Sequence, residues 1–535
     1  MKSKRSGLII ASLTVLCSCA EIKIDKGPFP IQENEEMVRG KDHYLKGIAP
    51  ASPGELLPNI IVILVDDLGK NDISLYDHTG VPTPSLERLA ERGVRFEAAY
   101  STSSVCSPSR AGLLTGRYQQ RFGFERQPMN RYPHGKLEYW FVDHLIDTSP
   151  MRLVKPGSSP SREEREKQGI PSGELLLPEI LSRRGYTTGI FGKWHLGLEE
   201  PFKPNQRGFD EQYGFYEAFT LYDSEKDTGT VNYRHDYFAN KYIWRQQRKG
   251  SCAIRNNDSI IEEEQYLTFS IADRACDFIE TNAQQPFFLY VPFNAPHTPF
   301  QVPRSYERRF AHVEDPNKRV YYGMIAAMDD AIGQLMNTLG DHHLLGRTLI
   351  FFASDNGGAT YTGATDNGNL RAGKFSQFEG GINIPMIASW PGILPEGTAY
   401  EHPVSLMDIF STALDIAGCA PPEDREFDGV NLIPFLQGTN RDLPHRQLFW
   451  RTDFNKSVRR GPYKLVWNNR DQQVYLFDLS KDPSEQRNLS GEQPELTREL
   501  QDAILEWEEQ MVPPLWPGVM EFRFETDGEE TWWAI

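Results

Sequence analysis

The segment Cys106-Ser107-Pro108-Ser109-Arg110 places a sulfur nucleophile beside hydroxyl groups and a guanidinium. A phosphatase that attacks with a thiolate surrounds its anion with a Cys-x5-Arg loop, but here that position is Gly112 and the nearest arginine is Arg110. A structural zinc site would need a second cysteine roughly two to four residues away, and the sequence has none there. Ordinary thiol chemistry therefore explains this segment poorly, and the simple alternative is a buried structural cysteine.

Two pairs of oxygen-bearing side chains could hold a metal ion. Asp66-Asp67 and Asp355-Asn356 offer carboxylate and amide oxygens, which suit a hard divalent cation such as Ca²⁺ or Mg²⁺ better than Zn²⁺. An Asp-Asp pair after a strand often caps a helix or forms a turn instead. Because a second pair follows another predicted strand, the sequence favours a metal site.

Four predicted strands each lead into polar residues of this kind. The strands are short apolar runs bounded by turn residues, at 59–65, 185–191, 287–293 and 348–353. The residues that follow them are Asp66, Lys193 with His195, His297, and Asp355. Because open α/β sheets bind ligands at the carboxyl ends of their strands, we expect these residues to meet in one site.

The strands alternate with segments of helical periodicity, at 172–184 and 322–339. This alternation predicts an α/β fold, with a large mixed, mostly parallel sheet flanked by helices on both faces. Runs at 447–451, 464–467 and 474–479, followed by a helical segment at 495–509, predict a small C-terminal antiparallel-sheet subdomain with a helix. The polar, aromatic stretches 130–170 and 215–262 are interpreted as loops at the rim of the cleft or as disordered insertions.

The cysteine segment, continued by Leu113-Leu114-Thr115-Gly116, resembles the modification signal of the formylglycine-dependent sulfatases. This family belongs to the alkaline-phosphatase-like superfamily, and the resemblance covers about residues 57 to 510, with its motifs in the expected order. The segment around Lys374 departs from the family pattern at Ala372, where Gly is usual, and at Asn383, where Arg is frequent. Phe191 is bulkier than the residue that the family usually has before the Gly192-Lys193 pair.

The resemblance implies a reaction and a role for each candidate residue. A maturation enzyme would oxidise Cys106 to formylglycine, whose hydrate attacks the sulfate ester and gives a covalent sulfo-enzyme intermediate. Ca²⁺, with Mg²⁺ as the alternative, would be held by Asp66, Asp67, Asp355, Asn356 and the modified Cys106. Arg110 would anchor the hydrate, Lys193 and His195 would contact hydrate and sulfate, and His297 and Lys374 would lie near the leaving oxygen. His195 is the candidate base, because the ordinary pKa of histidine is near neutral.

Charge and length narrow the function further. The formal net charge of −17 argues against a nucleic-acid binder, whose footprint is basic, so any attraction for an anionic substrate must be local. A chain of 535 residues can build a large core. We predict a catalytic domain at 57–440 and a C-terminal subdomain at 441–535.

The first residues are typical of an export signal. Lys2, Lys4 and Arg5 precede an apolar run at 8–16, which is too short to span a bilayer. Leu16-Cys17-Ser18-Cys19 resembles a bacterial lipobox, which implies lipidation of Cys19. We therefore predict a signal peptide at 1–19, a tether at 20–56, and an exported lipoprotein, in the outer membrane or facing the periplasm or cell surface, that meets the membrane only through this anchor.

Four cysteines lie beyond the leader, at 106, 252, 276 and 419, too few for a disulfide scaffold. Cys252 and Cys276 could form a disulfide or remain buried thiols. Export, the tether and the aromatic loops favour a sulfated polysaccharide or its oligosaccharides as substrate. The alternatives are a phosphatase or phosphonate hydrolase of the same superfamily, and an inactive lipoprotein that binds sulfated glycans.

Overall fold

The structure, a computed structural model, describes residues 31, 33–52, 54–128, 136–154, 161–526 and 528–535. The predicted signal peptide, Cys19 and the first part of the predicted tether lie outside these ranges. Among the described helices, none combines the length and apolar character needed to cross a membrane.

The helices of the described residues are α1 (Glu35–Gly47), α2 (Pro84–Glu91), α3 (Cys106–Thr115), α4 (Lys136–Leu145), α5 (Arg162–Glu166), α6 (Leu177–Arg184), α7 (Phe238–Gln246), α8 (Leu267–Thr281), α9 (Arg304–Glu307), α10 (Pro316–Asp341), α11 (Glu379–Ile382), α12 (Met407–Ile416), α13 (Ile433–Leu436) and α14 (Pro494–Glu508). The strands are β1 (Asn59–Val65), β2 (Gly93–Phe96), β3 (Ala99–Tyr100), β4 (Met151–Leu153), β5 (Thr187–Lys193), β6 (Glu211–Phe215), β7 (Thr230–Tyr233), β8 (Arg255–Asn256), β9 (Ser259–Ile260), β10 (Phe287–Pro292), β11 (Phe300–Pro303), β12 (Thr348–Ser354), β13 (Asn383–Ile384), β14 (Met386–Ser389), β15 (Thr398–Tyr400), β16 (Val404–Ser405), β17 (Gln447–Thr452), β18 (Asn455–Arg460), β19 (Tyr463–Asn468), β20 (Gln473–Asp478), β21 (Met520–Thr526) and β22 (Glu529–Ala534).

A large mixed sheet lies at the centre of the described residues, with the strand order β15-β2-β14-β12-β1-β10-β5-β6-β8-β9. Its middle strands β12, β1, β10, β5 and β6 run parallel to one another, whereas β14 is antiparallel to β12. The predicted α/β fold with a mostly parallel sheet is confirmed.

Helices cover both faces of this sheet, as the sequence of β1 requires. All seven residues of β1 are buried. Ile61 and Ile63 pack in one core with residues of α2, α8 and α10, and Ile60 and Val62 pack in a second core with residues of α3, α6 and α12. A strand buried on both faces reads as a continuous apolar run rather than an alternating one.

The C-terminal part contains the predicted antiparallel sheet, in the order β17-β18-β19-β20. Leu500 and Ile504 of α14 pack against Val458, Leu465 and Leu476 of the sheet. A separate three-stranded sheet has the order β22-β21-β4, so the last hairpin pairs with a strand from residues 151–153.

The interpretation of residues 20–56 as a tether is wrong for residues 35–47, which form α1. Asn34 caps this helix through its side chain, and the ammonium of Lys41 is buried against Glu179 of α6, with Nζ 2.5 Å from Oε1. Lys41 also donates to the carbonyl oxygens of Ser172 and Glu174. A buried ion pair with these added hydrogen bonds holds α1 on the folded body.

Two further expectations need correction. Residues 215–262 are not simply loops, because they contain β7, α7, β8 and β9. Residues 130–170 include α4, β4 and α5, while 129–135 and 155–160 lie outside the described residues. Cys252 and Cys276 are both buried, and no disulfide joins them.

Candidate functional site

Four neighbouring strands bring polar residues to one edge of the large sheet. Because β12, β1, β10 and β5 are adjacent and parallel, their carboxyl ends lie at the same edge. The residues delivered there are Asp66 and Asp67 after β1, Asp355 and Asn356 after β12, His297 after β10, and Lys193 at the end of β5. The side-chain contacts described below join all these segments, so the predicted convergence is confirmed.

Helix α3 supplies Cys106 and Arg110, which are about one helical turn apart. Cys106 begins the helix, and its Sγ accepts a hydrogen bond from Nζ of Lys374 at 3.2 Å. Nε of Arg110 donates to Oδ2 of Asp355 at 2.8 Å, and Nη1 donates to the carbonyl oxygen of Lys193 at 3.1 Å. Because every residue of α3 is buried, packing fixes the position of both side chains.

Each of the three buried carboxylates in the site has one buried cation in close contact. Three ion pairs, each with an N···O distance of 2.7 Å, join Lys193 to Asp66, Lys374 to Asp67, and Arg110 to Asp355. These charges balance, so a divalent cation would give the pocket a net positive charge. Such local charge answers the problem that the chain as a whole is strongly acidic.

Side-chain oxygen atoms in the site that have no hydrogen-bond donor among the described residues could bind a hard cation. Oδ1 of Asp66 and Oδ1 of Asn356 are buried and accept no hydrogen bond from a described residue. Potential ligand atoms of Asp66, Asp67, Cys106 and His297 all lie within 4.8 Å of one another. Asn356 is held by donating from Nδ2 to Oδ1 of Asp67 at 2.8 Å. The donor set is rich in carboxylate and amide oxygen, which are the ligands that Ca²⁺ and Mg²⁺ prefer.

The two carboxylates nearest Arg110 influence each other. Burial and the charge of Asp66 raise the pKa of Asp355 to about 7, although Arg110 and Lys193 oppose the change. Burial would also raise the pKa of Asp66, but Lys193, His297 and Arg110 outweigh it and hold that pKa well below its usual range. A cation shared by the two groups would relieve this repulsion, which further supports a metal site here.

The cysteine itself is poorly suited to act as a thiolate. Burial raises the pKa of the Cys106 thiol to about 12, and Asp66 and Asp355 add to the effect, although Lys193 and Lys374 oppose it. The protein's own groups therefore keep the thiol protonated near neutral pH, whereas reactive cysteines have depressed pKa values. This finding agrees with the expectation that the unconverted thiol is not the nucleophile.

The two candidate histidines are buried and differ in their contacts. Burial, followed by the charges of Lys193 and Arg110, lowers the pKa of His195 well below 6.5, so the expectation that it titrates near neutral pH is wrong. Neutral His195 can still accept a proton, and neither ring nitrogen is hydrogen-bonded to a described residue. His297 hydrogen-bonds through Nδ1 to the carbonyl oxygen of Thr298, while its Nε2 lies 3.6 Å from Oδ2 of Asp67.

Asn367, which sequence reasoning missed, fastens the loop that carries Lys374. Its Nδ2 donates to the carbonyl oxygens of Gly358, Ala372 and Gly380, and its Oδ1 accepts from the backbone N–H of Gly358. Gly358 follows the candidate metal ligand Asn356 by two positions, so one amide side chain joins the Asn356 segment to the Lys374 segment. The sequence shows only an asparagine between the two motifs, and its burial could not be read from the sequence.

Two tyrosines near the site were also missed. Tyr237 and Tyr361 meet edge to face, with ring centroids 5.8 Å apart, and Tyr361 stacks on Phe375, the residue after Lys374. Their position in the chain gave a weak signal, since Tyr361 lies between the Asn356 and Lys374 motifs.

Comparisons with known proteins agree with the fold and the site. The family pattern described as Sulfatase matches residues 58–419, and that described as N-sulphoglucosamine sulphohydrolase, C-terminal, matches residues 373–510. The N-acetylgalactosamine-6-sulfatase of Canis lupus familiaris is 34% identical over 423 residues, which cover 77% of this chain and 72% of that protein. The Homo sapiens N-acetylgalactosamine-6-sulfatase is 32% identical over 496 residues, which cover 85% and 86%. The crystal structure of Ps i-CgsB in complex with k-i-k-neocarrahexaose is 28% identical with a TM-score of 0.71, covering 86% of this chain and 94% of that one.

Proposed function

Because the chain belongs to the sulfatase family and is a sulfuric ester hydrolase, we propose that it removes sulfate from carbohydrate esters, using a formylglycine formed from Cys106. The substrate would be a sulfated polysaccharide or its oligosaccharides. Support for a carbohydrate comes from similarity to N-acetylgalactosamine-6-sulfatases and to Ps i-CgsB, whose crystal structure is a complex with k-i-k-neocarrahexaose.

The observation that carries this proposal is the position of Cys106. Its Sγ lies 3.2 Å from Nζ of Lys374, inside a buried group of three carboxylates and three cations. The sulfur occupies the place that the oxygens of a hydrated formylglycine would take. A sulfate group placed there would meet the cations of the site at short range, where the low dielectric strengthens the interaction.

The chain's own residues would divide the work as follows. One hydroxyl of the hydrate loses its proton and attacks sulfur, and the bond from sulfur to the ester oxygen breaks as the alcohol leaves with a proton. Loss of a proton from the second hydroxyl then expels sulfate from the covalent sulfo-enzyme and leaves the aldehyde, which water hydrates again. Lys193 and Lys374 neutralise sulfate oxygens, and His297 is placed to protonate the departing alcohol. Arg110 fixes Asp355, and neutral His195 can accept the proton of the second hydroxyl.

We propose Ca²⁺ as the resident ion, held by Asp66, Asp67, Asp355, Asn356 and the modified residue 106, with Mg²⁺ as the alternative. Such an ion supplies Lewis-acid stabilisation of charge that develops on the sulfate oxygens. Treatment with a chelator should abolish hydrolysis, and Ca²⁺ should restore it better than Mg²⁺. Full activity after exhaustive chelation, checked by elemental analysis, would contradict the metal site.

Peptide mass spectrometry and substrate assays test the nucleophile. When the chain is produced with a maturation enzyme, the peptide containing Cys106 should lose about 18 Da on conversion to formylglycine. Cys106→Ala should abolish turnover with little change in folding, whereas Cys276→Ala, the matched change at another buried cysteine, should retain it. Appreciable activity of Cys106→Ala would contradict the covalent role.

Matched sulfate and phosphate esters distinguish the proposal from the phosphatase or phosphonate hydrolase alternative. A clear preference for phosphate would overturn it. An unmodified Cys106 in a host with the maturation enzyme, together with glycan binding but no turnover, would favour the inactive binder. We also propose export and lipidation at Cys19, which Cys19→Ser with membrane fractionation would test.

A further inference from the structure

Two tyrosines lie next to the segment that carries Lys374. The six residues with proposed catalytic roles are at most 8% exposed, whereas Tyr237 and Tyr361 are only partly buried. Tyr361 is parallel to the ring of Phe375, at a centroid distance of 5.5 Å and an interplanar angle of 14°. Nζ of Lys374 lies 5.4 Å from the centroid of that same Phe375 ring. The tyrosine pair therefore borders the lysine that contacts Cys106.

The phenol of Tyr361 is uncharged, because its surroundings disfavour loss of the proton. Burial raises its pKa well above 10. Lys374 opposes this effect, whereas Asp67 and Cys106 add to it. Burial also raises the pKa of Tyr237, an effect to which Asp67 adds and which Lys374 opposes. The Tyr361 phenol is therefore neutral at physiological pH and can both donate and accept a hydrogen bond.

The last hairpin supports Tyr361 from behind. The ring of Phe522 on β21 lies 5.4 Å from that of Tyr361 and 5.1 Å from that of Phe375, and Phe522 is 2% exposed. Residues 520–534 lie beyond position 510, where the match to the second family pattern ends. An element outside the matched sulfatase regions thus sets the position of a ring at the edge of the site.

We propose that Tyr361, positioned by Phe522, binds the alcohol part of the substrate and makes the enzyme prefer carbohydrate sulfates to small aryl sulfates. This inference rests on the proposed function. With the sulfate held next to residue 106 and Lys374, we expect the alcohol to extend towards Tyr361, which is partly exposed. A phenol offers an apolar ring to the C–H groups of a sugar and a hydroxyl to one of its oxygens. A small aryl ester lacks the ring hydroxyls that would use this second contact.

Paired kinetics test the role of Tyr361. The probes are N-acetylgalactosamine 6-sulfate and sulfated carrageenan oligosaccharides, compared with 4-methylumbelliferyl sulfate. Tyr361→Phe should lower kcat/KM about tenfold for the accepted carbohydrate through loss of one buried hydrogen bond, mainly by raising KM, and change the aryl ester less than about threefold. Tyr306→Phe, which removes a surface hydroxyl bonded to Asp330, is the matched control and should change neither.

The positioning role of Phe522 has a separate readout. Phe522→Ala should lower kcat/KM for the carbohydrate more than for the aryl ester, and Phe522→Leu, which restores bulk, should recover part of the loss. Equal losses on both ester classes, or no loss with Tyr361→Phe, would overturn the inference. So would a protein that accepts the aryl ester but no carbohydrate of the panel. If the wild-type protein, with Cys106 shown to be converted to formylglycine, hydrolyses no sulfate ester at all, the proposed function itself fails, which is a distinct result.

Discussion

The position of the proton on His297 decides what this residue can do in the reaction. Because Nδ1 lies against the carbonyl oxygen of Thr298, Nδ1 carries the proton of the neutral ring, and Nε2 faces the site. To give a proton to a leaving alcohol, Nε2 must first acquire one. Burial lowers the pKa of His297, while Asp66 and Asp67 oppose this change and favour the charged ring. The pKa stays lowered overall, and the two carboxylates limit this decrease, so they favour the uptake of a proton that an acid role requires.

We expect His297→Ala to reduce hydrolysis of carbohydrate sulfates by about a hundredfold or more, the range typical of general acid catalysis. An activated aryl sulfate, whose leaving group departs without a proton, should lose much less. The measurement is kcat for both esters, with the exposed His78→Ala as control. Equal losses for the two esters would argue against acid catalysis by His297.

The role of an individual residue could be predicted from the sequence where its side chain is suited to only a few functions. Asp66, Asp67, Asp355 and Asn356 were recognisable as candidate ligands because oxygen donors after predicted strands suit a hard cation. The lowered pKa of His195 was not predictable, because it depends on burial among cations from other segments. The same applies to Tyr361, whose importance comes from the stack with Phe375 and Phe522.

At the scale of elements, the segment between Asn356 and Lys374 depends on Asn367. This residue adopts a left-handed backbone (φ 56°) and is fully buried. Its side chain makes hydrogen bonds to three carbonyl oxygens and one N–H, which fix the Gly358 and Gly380 segments relative to each other. Since Lys374 N–H also donates to the carbonyl oxygen of Gly358, disorder in this segment would displace Lys374 from Asp67 and Cys106.

Asn367→Ala should therefore destabilise the protein and impair catalysis together. Loss of the buried hydrogen bonds should cost about 2 to 4 kcal/mol, and kcat for an aryl sulfate should fall because the Lys374 ammonium is no longer held. Chemical unfolding and kinetics check the two effects. Asn369→Ala, an exposed asparagine of the same loop, is the control. Normal stability and rate in Asn367→Ala would show that the segment is held by other contacts.

Strands and helices could be predicted from the sequence where their burial produces a regular pattern of apolar residues. The bounds of β1 agree with the prediction because a strand buried on both faces is uniformly apolar. The start of β5 was placed too early because Gly185, with φ 104°, ends helix α6. Strand β18, with the polar sequence Asn-Lys-Ser-Val-Arg-Arg, was missed because pairing with β17 and β19 determines it. Ala372, at the predicted departure from the family's usual Gly, has a left-handed φ of 58°, which explains why glycine suits that position.

At the scale of the whole molecule, the catalytic region and the C-terminal sheet meet through a buried histidine. His445 lies two residues before β17, and its Nε2 is 2.8 Å from Oδ1 and 3.0 Å from Oδ2 of Asp408 in the first turn of α12. Asp408 also accepts the backbone N–H groups of Ser405 and Val430. Trp450 of β17 adds a hydrogen bond from Nε1 to the carbonyl oxygen of Ser101. These contacts tie the first C-terminal strand to the body that carries the site.

The His445–Asp408 pair predicts a pH dependence of stability. Burial would lower the pKa of His445, but Asp408 outweighs it, so the folded-state pKa is raised above 6.5. A raised pKa means that the folded state binds the proton more tightly than the unfolded state. The His445–Asp408 pair therefore stabilises the folded state fully below about pH 6.5, the ordinary pKa of histidine. This stabilisation is lost as pH rises through the raised folded-state pKa.

We expect His445→Gln to lose about 3 kcal/mol at pH 6, because Asp408 is left buried without its cation. The variant should also lose the part of the pH dependence that His445 contributes. The difference in unfolding free energy between the wild-type protein and the variant should therefore narrow from pH 6 to pH 9. Calorimetric unfolding at both pH values measures this gap, and His402→Gln, at an exposed histidine of the same region, is the control. A gap that is constant or widens at pH 9 would show that His445 is neutral in the folded protein, and that its hydrogen bond, not its charge, joins the two parts.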